Sequence, residues 1–172
     1  SVLPLLVQNA QGRQWMFGEG LATKVDSLEA CWESLVKALE ELPEEERNVQ
    51  LLRGFLAGTF ERDRTAFNRF LDHAMERESL LKWLPALQVT APLDARGCDR
   101  LLRAIADPAT PAWPFQHLSL ARATQSIEDR LLADILERLS LKPDGLEVAI
   151  GILYMHMHRD AVPADARLID VA

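Results

Sequence analysis

The chain has 172 residues, a formal net charge of -7 at pH 7, and a composition that is 48% hydrophobic and 26% charged. This length can bury a hydrophobic core without disulfides or metals, and the composition is far from that of a disordered chain. The negative net charge opposes nonspecific attraction to phosphate backbones and anionic membranes, so nucleic acid is disfavoured as a partner.

Leucine and alanine dominate the hydrophobic residues, which favours helices over strands because unbranched side chains lose little rotamer freedom in a helix. No apolar run approaches the roughly 20 residues of a membrane span, and the first residues lack a signal-peptide pattern. Cys31 and Cys98 form no CxxC motif, and we expect reduced thiols in a cytoplasmic protein. Because the sequence begins without Met and ends on an apolar stretch, we expect one domain, residues 1–172, that is a piece of a longer protein.

The first 25 residues contain two short apolar segments, 3–7 and 15–17, around a turn-like Asn-Ala-Gln-Gly. These segments could form a hairpin or two short helices, and we favour helices. From residue 26 onward, hydrophobic residues recur every three or four positions. Asp26 with Glu29 resembles a capping box, which predicts a helix that ends before Pro43.

A pair of helices is predicted between about residues 47 and 78. Three glutamates at 44–46 suit the start of the first helix, because the helix dipole favours negative charge there. Asp63 is suited to cap the second helix, and the short connection predicts an αα-hairpin. Gly54 and Gly58 leave a flat strip, for which tight packing inside the hairpin is favoured over a groove for a partner.

The middle of the chain is predicted to be less regular. Residues 80–84 form a short apolar helix or turn that Pro85 interrupts, and Asp94 then starts a longer helix. Three prolines between 108 and 114 make a bend that leads into a short helix around Phe115.

The last two predicted helices each begin with a pair resembling a capping box, Ser126 with Asp129 and Asp144 with Glu147. The second, from Gly145 through Met157, is the most apolar helix of the chain, and we expect it to be central. Its large side chains share one side of the helix: Ile150, Leu153 and Met157. On this interpretation, Leu153→Ala opens a core cavity and costs roughly 2–5 kcal/mol.

Catalytic and metal-binding motifs are not found in the sequence. No P-loop or dinucleotide-binding loop occurs, and no histidine has the spacing of a carboxylate-bridged or HExxH metal site. The two histidines of the segment 155–158 (Met-His-Met-His) are two residues apart, and therefore point about 200° apart on a helix. Cys98 and His117 could form a thiol–imidazole pair, but core packing of Cys98 is favoured.

Three segments can be considered together: LLRGFLAG at 51–58, LDARG at 93–97 and PDGLEVAI at 143–150. They resemble the HEAT-like, helical-repeat C-terminal regions of large bacterial STAND-type NTPases. The resemblance covers most of the chain, but its motifs are packing motifs that carry no catalytic residues. It implies that the ATPase chemistry lies in another part of the parent protein, and that this piece is a sensor or scaffold arm.

We therefore predict an all-α fold, an irregular α-solenoid of stacked antiparallel helix pairs. The corresponding function is a non-catalytic module, without cofactor or metal, that binds proteins or other domains of the parent chain. The alternative is a small helical enzyme or ligand-binding bundle, which a buried polar cluster in a concave pocket would favour.

The candidate interaction surface combines two tryptophans beside prolines at helix junctions with three arginines near residue 63: Trp83, Trp113, Arg62, Arg64 and Arg69. Tryptophan is a frequent anchor of interfaces. Nucleic-acid binding through these arginines and Arg77 is a weaker hypothesis, because acidic residues are interleaved with them. Trp32 lies on an internal apolar stripe and is predicted to be in the core.

Overall fold

The computed structural model describes residues 13–120 and 123–158, and within these ranges the chain is helical with no strand. The predicted all-α class is therefore confirmed. Segment 15–17 lies in the first helix, as expected, whereas segment 3–7 lies outside the described residues. Nine α-helices follow one another in this part of the chain: α1 Gln14–Lys24, α2 Leu28–Glu40, α3 Gln50–Arg62, α4 Arg64–Met75, α5 Glu78–Leu81, α6 Leu84–Gln88, α7 Ala95–Ala106, α8 Asp129–Ser140 and α9 Gly145–Met157. Two 3₁₀ helices span Glu44–Glu46 and Trp113–Ser119.

An aromatic cluster lies where α2, α3 and α4 meet. The Trp32 ring stacks on Phe70 with centroids 5.1 Å apart and on Phe55 at 6.4 Å. The indole N–H of Trp32, although buried, is satisfied because it donates to His73 Nδ1 at 2.9 Å. The prediction that Trp32 belongs to the core is confirmed.

Helix α1 lies against α3 so closely that their backbones touch at glycines. A Cβ atom built on Gly54 would overlap the carbonyl of Trp15, and one built on Gly18 would overlap the carbonyl of Leu51. At Gly58 a Cβ would be only 2.7 Å from Glu19 O. The glycine strip of α3 is thus used for internal packing, as favoured from the sequence, but its partner is α1 and not the other helix of the predicted hairpin.

The predicted cap at Asp63 and the predicted helix start at Asp94 are both confirmed. The Asp63 carboxylate accepts hydrogen bonds from the Thr65 and Ala66 backbone N–H groups at 2.8 and 3.0 Å, and Asp63 alone connects α3 to α4. The Asp94 carboxylate likewise accepts from the Gly97 N–H at 2.7 Å. Both caps satisfy donors that a helix start would otherwise leave unpaired.

Three predicted capping pairs are not formed, although the helices that they were predicted to start are present. Ser27, and not Asp26, caps α2, since its hydroxyl accepts from the Ala30 N–H at 3.2 Å. The Ser126 hydroxyl donates instead to the Leu93 carbonyl at 2.8 Å, so it ties two segments together and caps nothing. Asp144 precedes α9 with a left-handed φ of 58° and makes no side-chain cap.

Two further corrections concern the ends of short elements. The glutamates at 44–46 form a separate 3₁₀ turn, and α3 begins only at Gln50, whose N–H is satisfied by the Asn48 side chain at 2.9 Å. Pro85 lies in the first turn of α6 and does not interrupt a helix. Proline fits there because the first N–H groups of a helix have no internal partner.

A fully buried arginine, which was not predicted from the sequence, joins α4, α6 and α7. Arg100 on α7 is 1% exposed. Its guanidinium donates to Asp72 Oδ1 at 2.8 Å, to Gln88 Oε1 at 3.1 Å and to Asn68 Oδ1 at 2.8 Å. A buried charge is tolerated only when it is paired and hydrogen-bonded in this way.

Helix α9 is peripheral, which corrects the expectation that it is central. It packs on α8 and on the second 3₁₀ helix, and it buries Gly145, Ala149 and Ile152. Leu153 and Ile150 are 43% and 58% exposed. The sequence pattern was ambiguous because this helix has apolar residues on more than one side, and its neighbours cover only one of them.

The contact between α1 and α3 yields the first prediction. Gly54→Ala should destabilise the protein by about 1–3 kcal/mol, because the added methyl would overlap the backbone of α1 and force that helix to move. Gly20→Ala on α1 is the matched control: its Cβ would meet nothing within 4 Å, and it should stabilise the helix by about 0.5–1 kcal/mol. Denaturant unfolding of both variants checks this, and equal effects of the two substitutions would contradict it.

Candidate functional site

The structure brings the two tryptophans of the predicted interaction surface together. Trp83 lies in the turn between α5 and α6, and Trp113 begins the second 3₁₀ helix. Their rings meet edge to face, with centroids 5.0 Å apart. Trp113 is 43% exposed and Trp83 is half-buried, so the pair forms a partly accessible aromatic surface.

The three predicted arginines each have a separate intramolecular partner. Arg62 donates to the carbonyls of Ala22 and Val25, both at 2.8 Å, and so closes the C-terminal end of α1. Arg64 lies over the Phe60 ring at 4.8 Å, and Arg69 forms an ion pair with Glu29. None of these contacts involves the tryptophan pair.

Arg77, the fourth arginine of the nucleic-acid hypothesis, is also paired. It lies 3.2 Å from Glu40 and 3.4 Å from Glu33. Paired arginines of this kind offer less charge to a phosphate backbone than unpaired ones.

A cleft of about 350 Å³ lies beside the buried edge of the tryptophan pair, and its lining includes Arg47, Arg53, Trp83 and His117. Within the parts of the chain that the structure describes, Trp83 Nε1 and His117 Nδ1 are buried and have no hydrogen-bond partner. Thr110 Oγ1 is a third such atom and belongs to a neighbouring cavity of about 320 Å³. Buried polar atoms of this kind are normally satisfied by a water or a ligand.

The cleft also changes the protonation of His117. Burial, and then the positive charge of Arg53, lower the pKa of His117 below its ordinary value. Both effects disfavour the charged imidazolium. His117 is therefore neutral in the folded protein over a wider pH range than in the unfolded chain.

This shift predicts a loss of stability in mild acid. As the pH falls through about 6.5, the unfolded chain binds a proton at His117 that the folded protein resists, so the free energy of unfolding decreases. His117→Gln should show a smaller decrease between pH 7 and pH 5 than the unmodified protein. The exposed His158 provides the control, because His158→Gln should retain the decrease; urea titrations at several pH values measure it.

The two cysteines are poorly suited to nucleophilic chemistry. Burial raises the pKa of the Cys31 thiol, and burial together with the nearby Asp94 raises that of Cys98. A raised pKa lowers the fraction of thiolate, which is the reactive form. Cys98 is a buried core residue, as favoured from the sequence.

The histidines of segment 155–158 are held by different partners. His156 Nδ1 lies 3.1 Å from Thr124 Oγ1, whereas His158 Nδ1 lies 2.9 Å from the Tyr154 carbonyl. A search of residues 13–120 and 123–158 finds no group of three His, Cys, Asp or Glu side chains that could hold a metal ion. In the same ranges, no helix has the length and apolarity needed to cross a bilayer.

Helix α9 carries a row of exposed large apolar side chains, which the prediction of a central, buried helix did not anticipate. Four large side chains follow one another at spacings of four, three and four residues, and all are 43–68% exposed: Leu146, Ile150, Leu153 and Met157. We call these four residues the α9 stripe. The available signal was the unusual apolarity of the helix, since a peripheral helix normally turns polar residues outward.

Comparison of the chain with protein-family models, with curated proteins and with solved structures returned no match. The candidate sites therefore rest on the geometry alone.

The burial of α9 yields a prediction on two adjacent residues. Ile152 is 0% exposed and faces α8 and the second 3₁₀ helix, whereas Leu153 belongs to the α9 stripe. Ile152→Ala should cost about 2–5 kcal/mol because it leaves a cavity, and Leu153→Ala should cost less than about 1 kcal/mol. Chemical denaturation at low protein concentration measures the free energy of unfolding of both variants. A larger loss for Leu153→Ala than for Ile152→Ala would contradict the peripheral position of α9.

Proposed function

We propose that this protein is a non-catalytic helical module that mediates protein–protein or interdomain interaction, and that the α9 stripe is its binding surface. One observation carries the proposal: a continuous row of four large apolar side chains faces outward on a helix whose other side is packed. Contiguous exposed apolar surface on a soluble protein commonly marks an interaction site.

The energetic argument follows from the exposed fractions. Full burial of one large aliphatic side chain contributes about 1.5–3 kcal/mol. The four residues of the α9 stripe are each roughly half-exposed, so a partner that covers them would gain several kcal/mol in total. This is sufficient for specific binding when the partner is preorganised, because the entropic cost of association must also be met.

The finer architecture and the biological setting are also proposals. Short connections between successive helices, such as the single residue Asp63 between α3 and α4, support an irregular, HEAT-like solenoid. The sequence resemblance supports a sensor or scaffold arm of a larger NTPase, whose catalytic part lies elsewhere in the parent chain. Two free cysteines, Cys31 and Cys98, agree with a cytoplasmic location.

A ligand-binding bundle is the second candidate function, and a specific observation favours it. The cleft beside Trp83 combines two arginines with the two unsatisfied ring nitrogens of Trp83 and His117. Glu45 and Glu46 also line it, so its polar groups carry both signs of charge. Such a cleft suits a small polar molecule bearing an acidic group, and not a large apolar one.

The proposed function predicts where a photo-activated cross-linker will react. A cross-linking amino acid at position 150, on the α9 stripe, should give an adduct with a defined protein that mass spectrometry identifies. Position 155 is the control, because Met155 is 46% exposed on the same helix but lies off the stripe. Leu153→Glu should abolish the adduct at 150 while Met155→Glu preserves it. If no adduct depends on the stripe, the cleft becomes the leading site.

A further inference from the structure

We propose that the partner of the α9 stripe is a second copy of this chain, whose α9 packs antiparallel to the first in a two-fold symmetric dimer. This inference rests on the proposed function and specifies its partner. It is carried by the order of residues along the stripe, by the charges beside the stripe and by the length of the helix.

The α9 stripe has the same spacing in both directions. Its four residues are separated by four, three and four positions, so reversing the helix reproduces the pattern. In an antiparallel pair, Leu146 therefore meets Met157 of the second copy, and Ile150 meets Leu153. This is the property of a two-fold interface, in which one patch contacts its own copy, and the spacing is that of knobs-into-holes packing between helices.

The row of polar residues along one border of the stripe is self-complementary as well. Glu147, Tyr154 and His158 lie seven and four residues apart, and all three are exposed. The Tyr154 and His158 rings stack with centroids 3.9 Å apart at the C-terminal end of the helix, whereas the carboxylate of Glu147 lies near its start. An antiparallel pair brings this carboxylate to the stacked rings of the other copy, twice.

The helix dipoles favour the same orientation. The positive N-terminal end of one helix, with Glu147 beside it, lies against the negative C-terminal end of the other, with His158 beside it. A parallel pair would instead align the two dipoles, which is unfavourable, and would leave each Glu147 carboxylate at the opposite end of the pair from the stacked rings of the other copy. Apolar contact and charge thus select the antiparallel arrangement together.

The area of contact predicts a weak, reversible dimer. Helix α9 has 13 residues and is therefore about 20 Å long. A single pair of such helices buries less than the roughly 800 Å² per partner of a typical stable complex. We expect a dissociation constant on the order of 10 µM to 1 mM, so the dimer forms with rising concentration.

Sedimentation velocity over a concentration series tests the partner. The unmodified protein should shift from monomer to dimer, Leu153→Glu should raise the dissociation constant by at least about tenfold, and Met155→Glu should change it by less than about twofold. Circular dichroism should show both variants folded, and Ile150→Glu provides a second stripe variant. A protein that stays monomeric throughout, or that loses the dimer equally with Met155→Glu, overturns the proposal.

Paired cysteines test the orientation. The double variant Leu146→Cys/Met157→Cys should form intermolecular disulfides, whereas each single variant should not exceed the background of the unmodified protein with its own Cys31 and Cys98. A parallel pair would instead cross-link through each single variant, which overturns the antiparallel geometry. If the purified protein stays monomeric but position 150 still gives a stripe-dependent adduct with another protein, the second copy is rejected as the partner and the proposed function is retained. If no adduct depends on the stripe, both proposals are rejected.

Discussion

The packing on both sides of α3 is the constraint on which the N-terminal half of this protein depends. On one side, the Phe55 ring stacks with Trp32 and lies tilted against Phe70, so α2, α3 and α4 share one aromatic cluster. On the other side, Gly54 and Gly58 allow the backbone of α1 to touch that of α3. Helix α3 therefore carries large aromatic rings on one side and glycines on the other, and a change of side-chain volume on either side would move a neighbouring helix.

The buried guanidinium of Arg100 extends this arrangement toward the C-terminal half. It fixes α7 against α4 through Asp72 and against α6 through Gln88, and α8 then packs on α7. Burial of an unpaired charge would be prohibitive, so the positions of these three helices are coupled by one side chain. Helix α9 lies beyond this coupled group and is covered on one side only.

The two candidate functions depend on different parts of the molecule. Burial raises the pKa of both thiols, and the two histidines near residue 157 have different partners, so these groups do not form one cluster. The α9 stripe, in contrast, is exposed to solvent. The polar cleft beside Trp83 and Trp113 is a site where a small ligand would satisfy buried atoms, and it is formed by residues far apart in sequence.

The sequence by itself determined the helical class and several local features. The spacing of apolar residues identified α9 with its observed bounds. Asp63 was identified as a cap and Asp94 as a helix start, because these signals depend only on the next few residues. Where a nearby hydroxyl competed, as with Ser27 beside Asp26, the local signal was insufficient.

Only the tertiary structure decided which faces are buried and which distant residues meet. The glycine strip of α3 could have faced any helix, and the contact of Trp83 with Trp113 joins residues 30 positions apart. The burial of Arg100 requires acceptors from two other helices. In α9, periodicity shows only that several faces of the helix are apolar. The core contains Ile152 and not Leu153 because α8 and the second 3₁₀ helix lie on the Ile152 side. The sequence of a single helix carries no information about the position of these neighbours.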